Sequence, residues 1–149
     1  MRSLSAALLV LLLWTSASAT GSAPRVATPA PPGTAEELGA VVEQARLRFA
    51  AKDVAGVLAY VADNYRSAGV TKPDVRQHLL TLYSLYEELR ARVRVNHVEI
   101  VDGDVWVYTT GEITGRLPVV GWVTVLSWQR EPEVARRQGA AWRLVGFQD

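Results

Sequence analysis

Three residues in this sequence are singled out for acid–base chemistry: Asp63 with its carboxylate, and His78 and His97 with their imidazoles. In an apolar pocket, such a group can transfer a proton while a nearby tyrosine donates a hydrogen bond. Asp63 lies in the segment VADNYRSAGVTKPD, where an aspartate often accepts hydrogen bonds from the backbone of a turn instead. Asp63 and His78 are the catalytic candidates, although a capping role is favoured for Asp63 and a hydrogen bond to a backbone carbonyl for His78.

Other kinds of chemistry lack the residues that they require. The chain has no cysteine, which excludes disulfides, thiolate nucleophiles and thiolate metal sites. Two histidines separated by 19 residues do not indicate a metal site. The sequence contains no G-x-S-x-G motif, no phosphate-binding loop and no dinucleotide fingerprint. We therefore expect neither a metal nor a cofactor.

Aromatic residues are the most informative positive feature. In the C-terminal half they recur at every second position, which predicts that they share a face of a β-sheet; Trp122 and Trp128 are expected on the same face. Such a face could fill the core, form a dimer contact or line a pocket for a flat apolar ligand. The candidate pocket residues are Tyr65, Tyr83, Tyr86, Trp106, Tyr108, Trp122, Trp128 and Trp142.

Three helices are predicted in the first part of the chain, because apolar residues recur there at intervals of three and four. Their predicted N-caps are Thr34, Asp53 and Thr71, and the first and third helices are expected to end near Ala51 and Arg90. The predicted buried face of the first helix consists of Leu38, Val41, Val42, Ala45 and Phe49.

After Arg90 the apolar period changes from helical to two, which predicts about four antiparallel strands. A phase slip at Asn96 and His97 predicts a bulge, and Gly103 predicts a hairpin turn. The charged segment 131–139 is expected to be a solvated hairpin loop. Helices followed by antiparallel strands predict an α+β fold, with three N-terminal helices packed on one face of a curved sheet.

The segments LAYVADNYRSAGVTKPDVRQHLLTLY and VEIVDGDVWVYTTGEI, with the final W-R-L strand, resemble the NTF2-like, or SnoaL-like, superfamily over about residues 35–149. The resemblance implies a cone whose pocket is catalytic, ligand-binding or vestigial. In isomerases and cyclases of this superfamily, a carboxylate a few residues beyond the position of Asp63 acts as general base. This chain has Ser67, Ala68 and Gly69 there, and none of them takes a proton near neutral pH, which favours a non-catalytic protein.

The N-terminal residues are typical of an exported protein. Arg2, an apolar run of about 11 residues and the small residues before Thr20 predict a signal peptide over 1–19. The run is shorter than the roughly 20 residues that span a bilayer, so no membrane span is expected after cleavage. A flexible Pro/Ala-rich tether is predicted over 20–33 and one domain over 34–149. Loss of Arg2 leaves 15 basic and 15 acidic residues, a balance that argues against a nucleic-acid partner.

Together these features predict an exported, periplasmic or secreted, NTF2-like protein without enzymatic activity. It is expected to bind a small hydrophobic ligand or a protein partner in the cell envelope. One alternative is an isomerase, dehydratase or cyclase that uses a pocket acid or base. Another is a structural homodimer whose cone is filled by its own side chains.

Overall fold

The computed structural model describes residues 26–147, so the predicted signal peptide lies outside the described residues. Within that range no helix is both long enough and apolar enough to cross a membrane. The helices are α1 (Pro32–Ala50), α2 (Val54–Leu58) and α3 (Lys72–Leu85). The strands are β1 (Ala27–Pro29), β2 (Arg66–Ser67), β3 (Val70–Thr71), β4 (Glu88–Val101), β5 (Asp104–Leu117), β6 (Gly121–Gln138) and β7 (Ala141–Leu144).

The main sheet has five strands in the order β1-β4-β5-β6-β7, and every neighbouring pair is antiparallel. This confirms the α+β class and the three helices, with one strand more than the four expected. The additional strand is β1, which lies within the predicted tether and pairs with the end of β4. A proline-containing strand is tolerated there because it lies at the edge of the sheet.

Two of the three predicted helix starts are correct. The Gly56 N–H donates to Asp53 Oδ1 (2.9 Å) at the start of α2, and the Thr71 N–H donates to Asp74 Oδ2 (2.8 Å) at the start of α3. The predicted cap at Thr34 is wrong, because α1 begins at Pro32. A proline suits the first position of a helix, where its missing N–H would have no intrahelical partner and its φ angle is already helical.

Helix α3 ends at Leu85, five residues before the predicted end near Arg90. The following residues join the sheet instead, since the Glu87 N–H donates to the Arg116 carbonyl (2.9 Å). The Lys52 ammonium donates to the carbonyls of Tyr83 (3.1 Å) and Tyr86 (2.6 Å) and so satisfies acceptors at the helix end. The helical period therefore stops where β5 offers backbone partners.

The bulge and the turn predicted near the start of the sheet are both present. The β4–β5 register shifts between Val95 and His97, which confirms the phase slip. Asp102 and Gly103 connect the two strands with φ angles of 51° and 86°, as a tight hairpin turn requires.

Strand β6 differs most from the sequence prediction. The segment 131–139 is not a solvated loop, because β6 continues to Gln138 and pairs with β5 and then with β7. Two register shifts interrupt its pairing with β5, between Thr109 and Gly111 and between Ile113 and Thr114. Each extra residue reverses the alternation of inward and outward side chains. The aromatic residues of β6 consequently do not all share one face.

The helices pack against the concave face of the sheet. The largest buried cluster joins the three helices, the segment after α2 and strands β4 to β6; its buried members are Phe49, Val61, Tyr65, Val75, Leu79, Leu82, Leu89, Ala91, Ile113 and Trp128. A second cluster around Leu38 joins the start of α1 to β4, β5 and β6. These two clusters surround the space in which the candidate site lies.

Gly111 should be essential for this packing. A Cβ at that position would lie 2.3 Å from Trp128 Cζ2 and 2.6 Å from the Arg92 carbonyl oxygen. We expect Gly111→Ala to lower the free energy of unfolding by about 1–3 kcal/mol, as overpacking usually does. Gly39→Ala is the matched control, because its Cβ would meet nothing within 4 Å in α1 and should stabilise the helix by about 0.5–1 kcal/mol. Urea denaturation measures both; equal stabilities of Gly111→Ala and the wild type would contradict the close contact.

Candidate functional site

A partly enclosed cavity of about 120 Å³ lies between α1, the α2–α3 region and the concave face of the sheet. This is several times the roughly 10–15 Å³ that one water molecule needs. The lining is almost entirely apolar and comprises Leu38, Val41, Val42, Ala45, Arg46, Phe49, Val57, Tyr60, Val61, Val75, Leu79, Ala91, Val93, Val107, Thr109, Ile113, Trp128, Glu133 and Leu144. The cone is therefore not filled by its own side chains.

The periodicity of two elements explains why the cavity is apolar. The predicted apolar face of α1, from Leu38 to Phe49, forms one wall, which confirms the orientation of that helix. Strand β4 supplies Ala91 and Val93 to the opposite wall, while Arg92 between them is exposed. Each element thus turns its apolar side chains toward the same space.

Glu133 is the one carboxylate among the residues that line the cavity. It lies on β6 opposite Val107 of β5 and is only 5% exposed. Within the described part of the chain, no donor reaches its Oε1 atom. Burial raises the pKa of the Glu133 carboxyl well above its usual range, although a hydrogen bond from the Val134 backbone acts in the opposite direction. The cavity therefore contains a buried carboxyl whose protonated form is favoured and whose Oε1 atom has no partner in the described chain.

The other polar groups of the lining are largely engaged. Trp128 donates from Nε1 to the Thr109 hydroxyl (3.0 Å), and both residues are buried. Arg46 pairs with Glu43 through two hydrogen bonds of 2.8 and 2.6 Å, so its charge is already balanced. Glu133, unlike Arg46, forms no ion pair within the described part of the chain.

The two catalytic candidates from the sequence lie outside the cavity. Asp63 is 99% exposed and forms an ion pair with Lys72 (2.8 Å), which lowers the pKa of its carboxyl. His78 lies on α3 beside the lining residue Leu79, but it does not line the cavity, and its buried Nδ1 has no partner in the described chain. Their roles as pocket acids or bases therefore have no geometric support.

His97 and two aromatic candidates of β5 lie on the other side of the sheet. The His97 ring stacks on Tyr108 with centroids 4.2 Å apart, and the Tyr108 hydroxyl donates to Glu99 Oε1 (2.7 Å). Burial raises the pKa of Tyr108 to about 12. Trp106 packs edge-to-face against Phe147 (4.9 Å). None of these side chains is part of the cavity lining.

Three of the four tyrosines predicted to line a pocket, Tyr65, Tyr83 and Tyr86, pack against the core next to the cavity instead of lining it. Tyr65 is 2% exposed, and its burial raises the pKa of its phenol. Tyr83 packs against Phe49 at 5.7 Å, and Tyr86 packs directly over Gly115. All three contact the main core cluster without lining the cavity.

Of the three tryptophans on β6 and β7, Trp128 alone lines the cavity. Trp122 is 41% exposed beneath the Arg90 guanidinium, at 4.0 Å, whereas Trp128 is 6% exposed. The prediction that these two share a face is wrong, because the register shift beside Ile113 lies between them. Trp142 donates to Glu37 Oε2 (2.8 Å) at the surface.

Glu133 was missed by sequence reasoning because its segment, EPEVARR, carries four charges and a proline. Such a composition usually indicates a solvated loop. Its sequence does contain a usable signal, namely the apolar pair Val134 and Ala135 immediately after the glutamate. Both are buried, at 4% and 1% exposure, and such burial on consecutive positions indicates a strand covered on both faces.

No group of three potential metal ligands occurs within residues 26–147. The cavity lining itself offers one carboxylate and no histidine. Carboxylate-based metal sites generally combine several oxygen ligands. The arrangement is instead suited to holding an apolar molecule and contacting it at one polar point.

These observations define a class of structure. A curved antiparallel sheet with three helices over its concave face and an internal apolar cavity is the NTF2-like fold, and solved structures confirm the likeness. No protein-family model matches the chain, and no curated protein matches its sequence.

Three solved structures illustrate the range of proteins that share this fold. An NTF2-like protein from Streptomyces avermitilis, proposed to be a dehydratase, is 14% identical with a TM-score of 0.56, covering 77% of this chain and 94% of its own. A ketosteroid isomerase-like protein from Erwinia carotovora atroseptica is 15% identical with a TM-score of 0.54, covering 77% and 93%. Bd1075 of Bdellovibrio bacteriovorus is 16% identical with a TM-score of 0.55; the match covers 74% of this chain and only 38% of that one. Identities this low establish the fold alone.

The burial of Glu133 predicts an unusual dependence of stability on pH. A carboxyl whose folded pKa is raised destabilises the fold as pH rises above its unfolded pKa of about 4.3, because the unfolded chain ionises first. We expect Glu133→Gln to match the wild type near pH 4 and to exceed it by about 1–3 kcal/mol near pH 8. Chemical denaturation at both pH values measures the difference.

Glu37→Gln is the control, because its effect on stability should change with pH in the opposite direction. Hydrogen bonds from Trp142 and Arg137 lower the pKa of the Glu37 carboxyl, so its contribution is present above the unfolded pKa and is lost as pH falls. Glu37→Gln should therefore be less stable than the wild type at neutral pH and equal to it in acid. If Glu133→Gln behaved like Glu37→Gln, Glu133 would not be buried as a neutral acid.

Proposed function

We propose that this protein binds a small hydrophobic molecule in the cavity without transforming it, after export to the cell envelope. The observation that carries the proposal is the partly enclosed apolar cavity with a single buried carboxyl in its wall. Ligand pockets are typically apolar with a few polar groups that fix the orientation of the ligand. The N-terminal residues 1–19 support export, since they match a cleavable signal sequence.

Two features favour binding over catalysis. Asp63 and His78 lie outside the cavity, so neither is in position to exchange a proton with a bound molecule. The raised pKa of the Glu133 carboxyl favours its protonated form, which is not a general base. A proton-transfer reaction also needs a second group that accepts a proton or stabilises the developing charge, and the described lining contains no second carboxylate and no histidine.

An acid-assisted reaction such as a dehydration is the second candidate, because a neutral carboxyl in an apolar site can donate a proton. The same fold occurs in proteins described as isomerase-like and as proposed dehydratases. In that case Glu133→Gln would retain binding but lose turnover.

A purely structural homodimer has less support. It requires a filled cone and an apolar outer sheet face. The cone contains a cavity, and the outer face of β4 carries the exposed arginines 90, 92 and 94.

Blocking the cavity should abolish ligand binding. Ala45 lines the cavity from α1, whereas Ala40 on the same helix is exposed. We expect Ala45→Phe to weaken the binding of the apolar fluorescent probe N-phenylnaphthylamine at least tenfold, because the ring occupies the ligand's space. Ala40→Phe, the matched control, should leave affinity within about twofold, since exposed positions are tolerant.

Native mass spectrometry of the mature protein, residues 20–149, purified from its own host then identifies the natural ligand as an adduct of small mass. Circular dichroism verifies that both variants fold. Equal probe affinity in the two variants, or no probe binding to the wild type, would overturn the proposal.

A further inference from the structure

The need for a hydrogen bond does not by itself explain why an ionisable residue occupies the buried position 133. A glutamine or serine there could hydrogen-bond a neutral ligand without the free-energy cost of burying an ionisable group. Glu133 is 5% exposed and no donor in the described chain reaches its Oε1 atom. What a carboxyl adds over these alternatives is the capacity to become an anion, which is stable in an apolar site only beside a cation.

The surroundings of Glu133 suit a cation that arrives with the ligand. Aromatic rings of Phe49, Tyr60 and Trp128 line the same cavity, and ring faces attract positive charge. The charge of Arg46, the one basic residue of the lining, is already balanced by Glu43. The protein therefore supplies the anion, the Glu133 carboxylate, and the ligand supplies the positive charge that balances it.

The titratable groups around Glu133 are few. Helix α1 contributes Arg46 with its partner Glu43, and the segment after α2 contributes Tyr60 and the buried Tyr65, whose phenol interacts electrostatically with Glu133. Helix α3 and strands β4 and β7 contribute only apolar residues to the lining. Arg46, the basic residue among them, is already paired with Glu43 and so does not take the place of a ligand cation.

We propose that the ligand is a lipophilic amine whose ammonium group pairs with the Glu133 carboxylate inside the cavity. This inference rests on the proposed function, since it specifies the chemical class that the same cavity binds. The apolar body of the amine would contact the α1 wall, where Leu38 to Phe49 exclude water. The amine nitrogen would fill the unused hydrogen-bonding capacity of Oε1.

The proton balance of this binding is defined. An amine arrives from neutral solution as the ammonium, and Glu133 must lose its proton to form the pair. That proton goes to solvent, so binding releases one proton and no bond of the ligand changes. Affinity for an amine must then rise with pH until Glu133 is ionised in the free protein or the amine itself loses its charge. A neutral ligand that only accepts hydrogen bonds requires the opposite: its affinity falls as Glu133 ionises.

A matched pair of probes separates these cases. Naphthylmethylamine and acetonaphthone share the same ring system, but the first carries an ammonium and the second only a carbonyl acceptor. We expect isothermal titration calorimetry of the wild type to show amine affinity rising at least tenfold from about pH 5 to about pH 8. Near pH 8 the amine should bind roughly ten- to a hundredfold more tightly than the ketone, as a charge-assisted hydrogen bond predicts. Titrations in buffers of different ionisation enthalpy should show the release of one proton for the amine and none for the ketone.

Glu133→Gln is the critical variant. It should abolish the pH dependence of amine binding and its advantage over the ketone, while ketone affinity near pH 5 changes by less than about threefold. Glu43→Gln is the control for the nearby ion pair and should preserve the positive pH slope.

The outcomes distinguish this inference from the function on which it rests. Ketone binding that exceeds amine binding and weakens with rising pH would overturn the amine assignment and leave the cavity's ligand-binding function intact. Binding of the amine that is unchanged in Glu133→Gln would also overturn it. Failure of both probes and of N-phenylnaphthylamine would overturn the proposed function itself.

Discussion

The contact between Trp128 and the backbone of Gly111 is the constraint on which the cone depends. An ideal Cβ at Gly111 would lie 2.3 Å from the indole, so the Trp128 ring can lie over β5 at this point only because Gly111 has no side chain. The indole is then held by its hydrogen bond to Thr109 (3.0 Å), two residues along β5. A sheet fixed at this point is bent around the indole, and its concave face encloses space that the helices cover without filling.

The same constraint determines where Glu133 points. The register shift next to Gly111 inserts an extra residue into β6 between Trp128 and Glu131, which reverses the alternation of the strand. Trp128 and Glu133, at positions of opposite parity, therefore both face the cavity. Removing the bulge would direct the glutamate to the opposite face of the strand, away from the cavity, where Val134 packs against Ala62 and Val145. The buried acid is thus a consequence of strand register as much as of residue type.

The parts of the fold that the sequence predicts are those governed by uninterrupted periodicity. The apolar face of α1, the cap at Asp53 and the hairpin at Gly103 depend on local patterns of three or four residues, and they are present. The end of α3 was misjudged because β5, some thirty residues further on, supplies the Arg116 carbonyl that draws Glu87 into the sheet. Such competition between local and distant partners is not encoded in a short window of sequence.

The candidate site was harder to predict than the fold for the same physical reason. Assigning Trp122 and Trp128 to one face assumed an unbroken period of two, whereas a single bulge places the first under Arg90 at the surface and the second in the cavity. Glu133 adds a second difficulty, because a charge is normally evidence of exposure. A buried acid among apolar residues is stable only when the surrounding fold supplies enough free energy to keep it neutral. The residue that best indicates function is therefore the one whose own chemistry opposes its position, and the tertiary structure is needed to recognise it.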